Sequence, residues 1–540
     1  MPLIENLGAT LGRWEREPLL KFIPRLQELL PSSKMYLVGG AVRDALLGQS
    51  HQKDFDMVIC GVNAHDLEKT LSGLGTVDLV GKTFGVFKFM PKGTRSKEAV
   101  DIALPRTEHA RGTGGYREVE VQSDPTLPIE KDLERRDFTI NALAVELGQD
   151  HTLRSGKLID PFHGLDDLRD RLLRCVGEPS KRFQEDFSRM LRALRFSCQL
   201  HCTIEPATWD ALVSLMPHIN DARDPNAPDE ESNRIVPYEV IAKELLKSFW
   251  NDPIRAFDLY AESGATKALM PELLTMEGCP HPHEYHSEGN VWAHTRLALS
   301  KLASPEFLNE FPDDPITMET IIGVLFHDVG KPPALMDPID PTTDRYRYHG
   351  HDKMGGKIAG DICSRLKLSS ASKDSPVHID CDNIVWIVEK HLLLLNSKIQ
   401  EMRASTIERY FFNPRVPGIT LLQVILADSL ATVPLSGQPI LTHFNEMKTR
   451  IEELLSDAGQ IRSYRSRALA PALLSGNDVM KDFHLSAGPK IGKLLKIVRE
   501  EQLQHAISTR EQALLRIRQE LRKEPAKHPK QLHQNQHLNV

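Results

Sequence analysis

The stretch GGAVRDALLGQSHQKDFD, residues 39–56, decides the reading of the first third of this chain. Met35 to Gly40 reads as a short buried strand that ends in a Gly-Gly turn, and Val42 to Leu47 opens a helix at once. A further strand follows from Phe55 to Cys60. Alternation along it puts Asp54 and Asp56 on one face. Two carboxylates so placed can hold Mg²⁺, which prefers oxygen ligands and bridges to substrate phosphates. A pair of such ions stabilises the attacking and leaving oxygens of an in-line displacement. Gly39 and Gly40 let the backbone approach a triphosphate closely, while the helix N-terminus and Arg43 supply positive potential.

Outward from this block, Val86 to Met90 and Ala99 to Leu104 read as strands, so the first 150 residues are mixed α and β structure. Upstream, residues 11–30 have the spacing of one amphipathic helix that stops before Pro31. Beyond about residue 160 the apolar spacing is helical. The stretch 218–237, rich in Asp, Pro, Asn and Glu, reads as a loop between helices rather than packed structure, and 333–346 reads similarly. The tail from Pro525 has little to bury and reads as disordered.

With 540 residues the chain is expected to form two or more domains. Seven scattered cysteines form no paired framework and point to reduced thiols in a cytosol-like, cytoplasmic setting. No apolar run is long enough to span a bilayer, and Glu5, Glu15 and Glu17 interrupt any leader-like segment. No membrane partner is expected. The net charge of −7 decides little about nucleic acid, because binding follows the local concentration of cations.

A second block, EDFSRMLRALRF at 185–196, has Phe187, Met190, Leu191 and Leu194 on one helical face, with Asp186, Arg189, Arg192 and Arg195 drifting across the other. Together with RRDFTINALA at 135–144 and Asp101 in AVDIALPRTE at 99–108, these blocks resemble the class II nucleotidyltransferases, the group of bacterial CCA-adding enzymes and poly(A) polymerases. The resemblance implies an α+β multidomain fold, with a small mixed-sheet head followed by a mostly helical neck, HD domain and C-terminal region. It implies addition of CCA to the 3′ end of tRNA from CTP and ATP, with Asp54 and Asp56 holding Mg²⁺ and Asp101, on a strand ending at Arg106, supporting them.

Asp186 and Arg189 then act as an amino-acid template for the incoming base. Cytosine and adenine each present an amine donor beside a ring-nitrogen acceptor, which a carboxylate next to a guanidinium matches. Arg136, Arg192 and Arg195 match positions that contact the nucleotide, with Arg135 and Asp137 as structural members of the same set. The polar loop 107–131, with Gly112, Gly114 and Gly115, matches the region that helps the switch from CTP to ATP. Alternatives are a poly(A) polymerase, a partial enzyme adding only CC or only A, or a protein that is mainly an RNA-end phosphohydrolase.

Downstream, HPHEYHSEGNVWAHT from 281, IIGVLFHDVGKP at 321–332, YHGHDKMGGKIA at 348–359 and Asp428 in VILADSL resemble an HD phosphohydrolase. The adjacent His-Asp, with a distant His before and a distant Asp after, assigns His294, His327, Asp328 and Asp428 to a metal, with His351 and His391 as a second position. Imidazole and carboxylate ligands with open positions suit Mn, Ni, Co or Mg. Such a domain implies 2′,3′-cyclic phosphodiesterase and phosphatase activity. Cys198, His201 and Cys202 are not read as a zinc site, since only three ligands lie nearby and His201 points elsewhere.

The block at 473–502 resembles the C-terminal region of the same class. Lys490, Lys493, Lys496 and Arg499 are the candidate contacts to tRNA phosphates, in a chain expected to recognise the acceptor and TΨC arms by shape. The expected boundaries are an N-terminal helical extension at 1–33, the head at 34–155, the neck at 156–280, the HD domain at 281–435, the C-terminal helical region at 436–524 and the tail at 525–540. A monomer or a homodimer fits this reading.

Overall fold

Strand β1, Lys34–Val38, is the pivot of the head, because all four of its residues after Lys34 are buried and both its edges are paired. The computed structural model describes residues 3–49, 55–80, 86–94, 98–110, 114–115, 119–148, 152–153, 155–224, 226, 233–339, 345–455 and 469–523. Asp54, Gly112 and the tail from Pro525 lie outside the described residues. The strands that follow it up to residue 159 are β2 (Asp56–Cys60), β3 (Gly75–Val80), β4 (Val86–Pro91), β5 (Val100–Ala103), β6 (Arg106–Ala110), β7 (Val119–Ser123), β8 (Ala144–Glu146) and β9 (Lys157–Ile159). Seven of them form one mixed sheet in the order β3-β4-β5-β2-β1-β8-β9. The β2–β5 pair is parallel and the remaining pairs of this sheet are antiparallel.

Met57, Val58, Ile59 and Cys60 are all buried, which is the pattern of a strand covered on both faces. Tyr36, Val38, Val58 and Cys60 pack with Ile129, Leu133 and Ala142 on one side. The N-terminal segment is also built into this core. Trp14 meets Phe55 edge-on at 5.1 Å between ring centroids, and Phe22 meets Phe89 at 4.7 Å. The single helix expected over 11–30 is instead Leu3–Trp14, a 3-10 turn at Pro18–Leu20 and a second helix, Ile23–Leu29. Pro18 and Pro24 each occupy a first-turn position, where a missing N–H costs nothing, so each proline starts an element rather than continuing one.

Two further expectations are corrected. Within the 107–131 stretch the described residues include two paired antiparallel strands, β6 and β7, and the start of a helix at Ile129. Arg106, expected to end a strand, begins β6. The 218–237 stretch is not solely an unpacked loop. It opens with a 3-10 turn to Asn220, its described ends are joined by a bridge between Ala222 and Arg234, and Arg234, Ile235 and Val236 are buried.

The chain is α+β, and from residue 160 onward the described structure is mostly helical. It divides into two units, Met1–Gly278 with Ile358–Cys381, and Cys279–Lys357 with Asp382–Val540. In the second unit, helices Val291–Lys301, Met318–Phe326 and Gly418–Ala431 carry or flank the histidine-rich motifs. A separate apolar cluster of Leu474, Val479, Ile491, Leu494, Val498, Ala513 and Ile517 holds the last three helices together.

Candidate functional sites

The Gly-Gly turn fixes the first site. Gly39 sits at φ +71°, a left-handed conformation suited to glycine, and a Cβ there would lie 2.5 Å from Nη1 of Arg136. Gly40 then starts the helix Gly40–Leu46. Arg43 is buried and donates to Asp44 Oδ1 at 2.7 Å and to Asn141 Oδ1 at 2.6 Å. Asp56 opens β2, exposed, and is the register partner of Asp101 on the parallel neighbour β5. That pairing puts two carboxylates on one face of adjacent strands. Lys88 Nζ lies 3.9 Å from Asp101.

A cavity of about 800 Å³ opens beside this face, within the range that holds a nucleotide-sized ligand. Its walls include Gly40, Arg43, Asp56, Arg136, Asp137, Asp186, Arg189, Arg192 and Arg195, residues singled out over more than 150 positions of sequence. Gly39 and Asp101 are not among its walls. Arg135, named in the sequence as a structural member, also lines it, and the structure adds Asn141, Phe196, Lys247, Trp250 and Asn251. Asn141 lay within RRDFTINALA and could have been read there. Lys247, Trp250 and Asn251 end the helix Tyr238–Asn251, and no local pattern singled them out.

The cations of this cavity are held in place by acids. Arg135 and Arg136 both reach Asp132, whose side chain is fully buried, at 2.7 and 3.3 Å. Arg192 donates through Nε and Nη2 to Asp137 Oδ2 at 2.9 and 2.7 Å. Burial alone would raise the Asp137 carboxyl, but the Arg192 guanidinium and the Asn141 amide hold it well below the usual range. Arg195 pairs with Glu244 and donates to Gln199 at 2.8 Å. It is therefore buried, and it lines the cavity. The helix Tyr238–Asn251 contributes Glu244 and covers that side of Ser188–Leu200.

Asp186 is not on that helix. It caps the end of Pro179–Glu185 in an extended conformation, and its Oδ1 accepts the Ser188 N–H at 2.9 Å. Burial pushes its carboxyl upward. Arg189 is positioned by Glu185 at 2.6 Å and by the carbonyls of Arg182 and Arg135. The stretch between β6 and β7 reaches the same place, since Phe187 N–H donates to Gly114 O at 2.9 Å. Gly114 has φ +79°, and a Cβ there would lie 2.1 Å from the Phe187 ring.

The second site lies wholly in the other unit. His294 Nε2 stands 3.0 Å from Asp428 Oδ1 and 3.4 Å from His327 Nε2. His351 Nε2 stands 3.3 Å from His391 Nε2. Asp328 lies between these groups: Oδ2 is 3.3 Å from His327, and Oδ1 is 3.6 Å from His351 and 3.7 Å from His391. All six residues proposed from the motifs are thus brought together. Three of the histidines follow one rule. The Nδ1 of His327, His351 and His391 lies 2.7, 2.8 and 2.6 Å from the carbonyl three residues earlier, those of Val324, Tyr348 and Val388.

Each of these contacts fixes the tautomer with its lone pair on Nε2, facing the cluster. The donor set therefore fits divalent cations, in two groups that Asp328 could serve with one oxygen each. Burial lowers the His391 pKa to about 4. For His294, burial acts the same way but is outweighed by Asp428 and Glu288, which raise its pKa to about 9. His281, His286 and Glu288 sit directly behind His294 and were not singled out in the sequence, although all three lie in the HPHEYHSEGN run. Cys198 and Cys202 are buried free thiols, and His201 closes its helix in a left-handed conformation beside Asp252.

At the C-terminal end Lys490, Lys493 and Lys496 are exposed, as phosphate contacts require. Arg499 differs. Its guanidinium is committed to Glu408, the Ala470 carbonyl and Gln502.

Residues 35–174 match the poly A polymerase head domain family. The chain is 32% identical over 380 residues to the Multifunctional CCA protein of Methylobacillus flagellatus, covering 70% of this chain and 78% of that protein. It is 34% identical over 382 residues to the Multifunctional CCA protein of Pasteurella multocida, with the same 70% and 78% coverage. The fold is similar to that of the Bacillus stearothermophilus CCA-adding enzyme in complex with CTP, with a TM-score of 0.53 at 19% identity, covering 94% of this chain and 98% of that one.

Proposed function

The chain belongs to the family of multifunctional CCA proteins, and from that premise we propose that it adds CCA to the 3′ end of tRNA from CTP and ATP. The observation that carries this reading is the single cavity in which Asp56, Arg43 and the arginines meet Asp186 and Arg189. One end suits a triphosphate and the other suits a base. Asp56 and Asp101, with Asp54 outside the described residues, would hold Mg²⁺, which when bound neutralises developing charge on the phosphoryl oxygens.

Arg136 and Arg192 offer guanidinium forks for phosphate oxygens while their acidic partners keep them oriented. Asp186 accepts from the exocyclic amine of cytosine or adenine, and Arg189 donates to the neighbouring ring nitrogen. Uracil and guanine present the reverse order, which leaves buried groups unpaired at a cost of about 1–3 kcal/mol each. The exposed lysines at 490, 493 and 496 would contact tRNA phosphates. Seven free thiols suit a cytoplasmic setting.

The second unit is proposed as an HD-type phosphohydrolase acting on 2′,3′-cyclic phosphates and phosphomonoesters. The convergence of four imidazole Nε2 atoms and two aspartates favours it. Ni²⁺, Mn²⁺, Co²⁺ or Mg²⁺ held by these residues would supply a Lewis acid for the phosphoryl oxygen. Asp56→Ala is the test that separates the two activities. Incorporation of CTP should fall on the order of 10³-fold or more, since metal coordination supplies several kcal/mol to the barrier. Hydrolysis of 2′,3′-cyclic AMP should persist, and surviving CTP incorporation would remove Asp56 from the metal site.

A further inference from the structure

Behind the histidine cluster lies a carboxylate with three donors on its two oxygens. Oε1 of Glu288 lies 2.7 Å from His286 Nδ1 and 2.8 Å from His294 Nδ1. Oε2 accepts the backbone N–H of Val433 at 3.2 Å. The Glu288 side chain is only 7% exposed, so these contacts are screened little by water. Val433 lies just beyond the helix Gly418–Ala431 that carries Asp428. Ser287 reinforces the connection, donating both its N–H and its hydroxyl to Val433 O at 2.8 and 2.9 Å.

His294 is the exception among the four histidines that frame the cluster. His327, His351 and His391 each set Nδ1 on the carbonyl three residues earlier, whereas His294, within the helix Val291–Lys301, sets Nδ1 2.8 Å from Glu288 Oε1. Glu288, in the turn that precedes this helix, takes the place that the carbonyls hold for the other three.

We infer that Glu288 is a positioning residue of the second site: it orients His294 through Nδ1 and ties the His294 helix to the end of the Asp428 helix, presenting Nε2 and Oδ1 together to a divalent cation. This rests on the reading of the cluster as a metal-dependent phosphohydrolase site. A histidine ligand whose other nitrogen is held by a carboxylate is more basic and less mobile, and loss of such a partner costs about 10–100-fold in metal affinity. The amide of glutamine has one acceptor oxygen. At position 288 it must give up either the imidazoles or the Val433 N–H.

The test is titration of the metal-free full chain with Co²⁺, followed by visible absorption and calorimetry, with circular dichroism as the check on folding. Wild type should bind Co²⁺ with the spectrum of imidazole coordination, and Glu288→Gln should weaken that binding about 10–100-fold. Equal affinities in the two proteins overturn the role of Glu288. Absence of imidazole-coordinated Co²⁺ in wild type overturns the phosphohydrolase reading itself and the inference with it. If Glu288→Gln does not fold, Zn²⁺-loaded wild type carrying ¹⁵N-histidine decides. His294 should carry its proton on Nδ1 and metal on Nε2, and the opposite arrangement overturns the proposal.

Discussion

The two candidate sites solve the problem of assembling charge in opposite ways. The cavity of the first unit collects arginines, each tied to an acid: Arg135 and Arg136 to Asp132, Arg192 to Asp137, Arg189 to Glu185 and Arg195 to Glu244. Asp56 in its wall, and Asp101 on the neighbouring strand, remain partly open to solvent. The cluster of the second unit collects buried imidazoles and the buried Asp328, with Asp428 half-buried at its edge, and three of its rings are set by carbonyls of their own turns. An open, arginine-lined cavity suits large polyanionic substrates that bring their own charge and leave again. A closed donor cage suits a small resident cation.

The sharpest way to break this comparison is to disable the cage alone. His327→Ala removes a donor that faces His294, Asp328 and Asp428. Hydrolysis of 2′,3′-cyclic AMP, assayed by phosphate-ester chromatography, should fall on the order of 10³-fold. Nucleotide incorporation into tRNA should stay at the wild-type rate. A parallel loss of both activities would mean that the sites do not work independently.

A somewhat smaller effect is expected from the acids that orient the arginines. Glu244→Ala leaves Arg195 buried without its carboxylate, which should cost about 3–5 kcal/mol of stability in urea unfolding. An unchanged midpoint would show that Arg195 finds water or another acceptor, and the picture of a cavity braced by buried ion pairs would need revision. The smallest effect concerns selection. Asp186→Ala removes one acceptor from the end proposed to read the base and should reduce the preference for CTP over UTP by about 10–100-fold, from a lost discrimination of about 1–3 kcal/mol. Undiminished preference would place base reading elsewhere in the cavity.

Much of this arrangement was legible in the sequence, for reasons visible residue by residue. A strand of consecutive buried residues, a Gly-Gly turn and a helix are all local events, so Met35 to Leu47 reads correctly. The histidine-rich run could be picked out as one candidate cluster because closely spaced His and Asp are uncommon in a chain, and the six residues named from it do come together. What was lost depended on contacts distant in sequence. The pair of β6 and β7 carries Thr, Glu, His and Gln and surrounds a glycine-rich stretch, so it resembles a polar loop until the strands are paired. The partner that holds Arg195 could not be foreseen, because Glu244 comes 49 residues later on another helix. The N-terminal break was legible in principle, since Pro18 and Pro24 are helix-start residues. Amphipathic spacing alone obscured it.

The most direct test of the account is incorporation of each of the four nucleotides, separately and in pairs, into tRNA lacking its CCA end, with purified protein and Mg²⁺. The account predicts two C residues, then one A, then termination, with UTP and GTP refused. Repeated addition of A would indicate a poly(A) polymerase instead, and no incorporation at all would leave the cluster of the second unit as the principal active site.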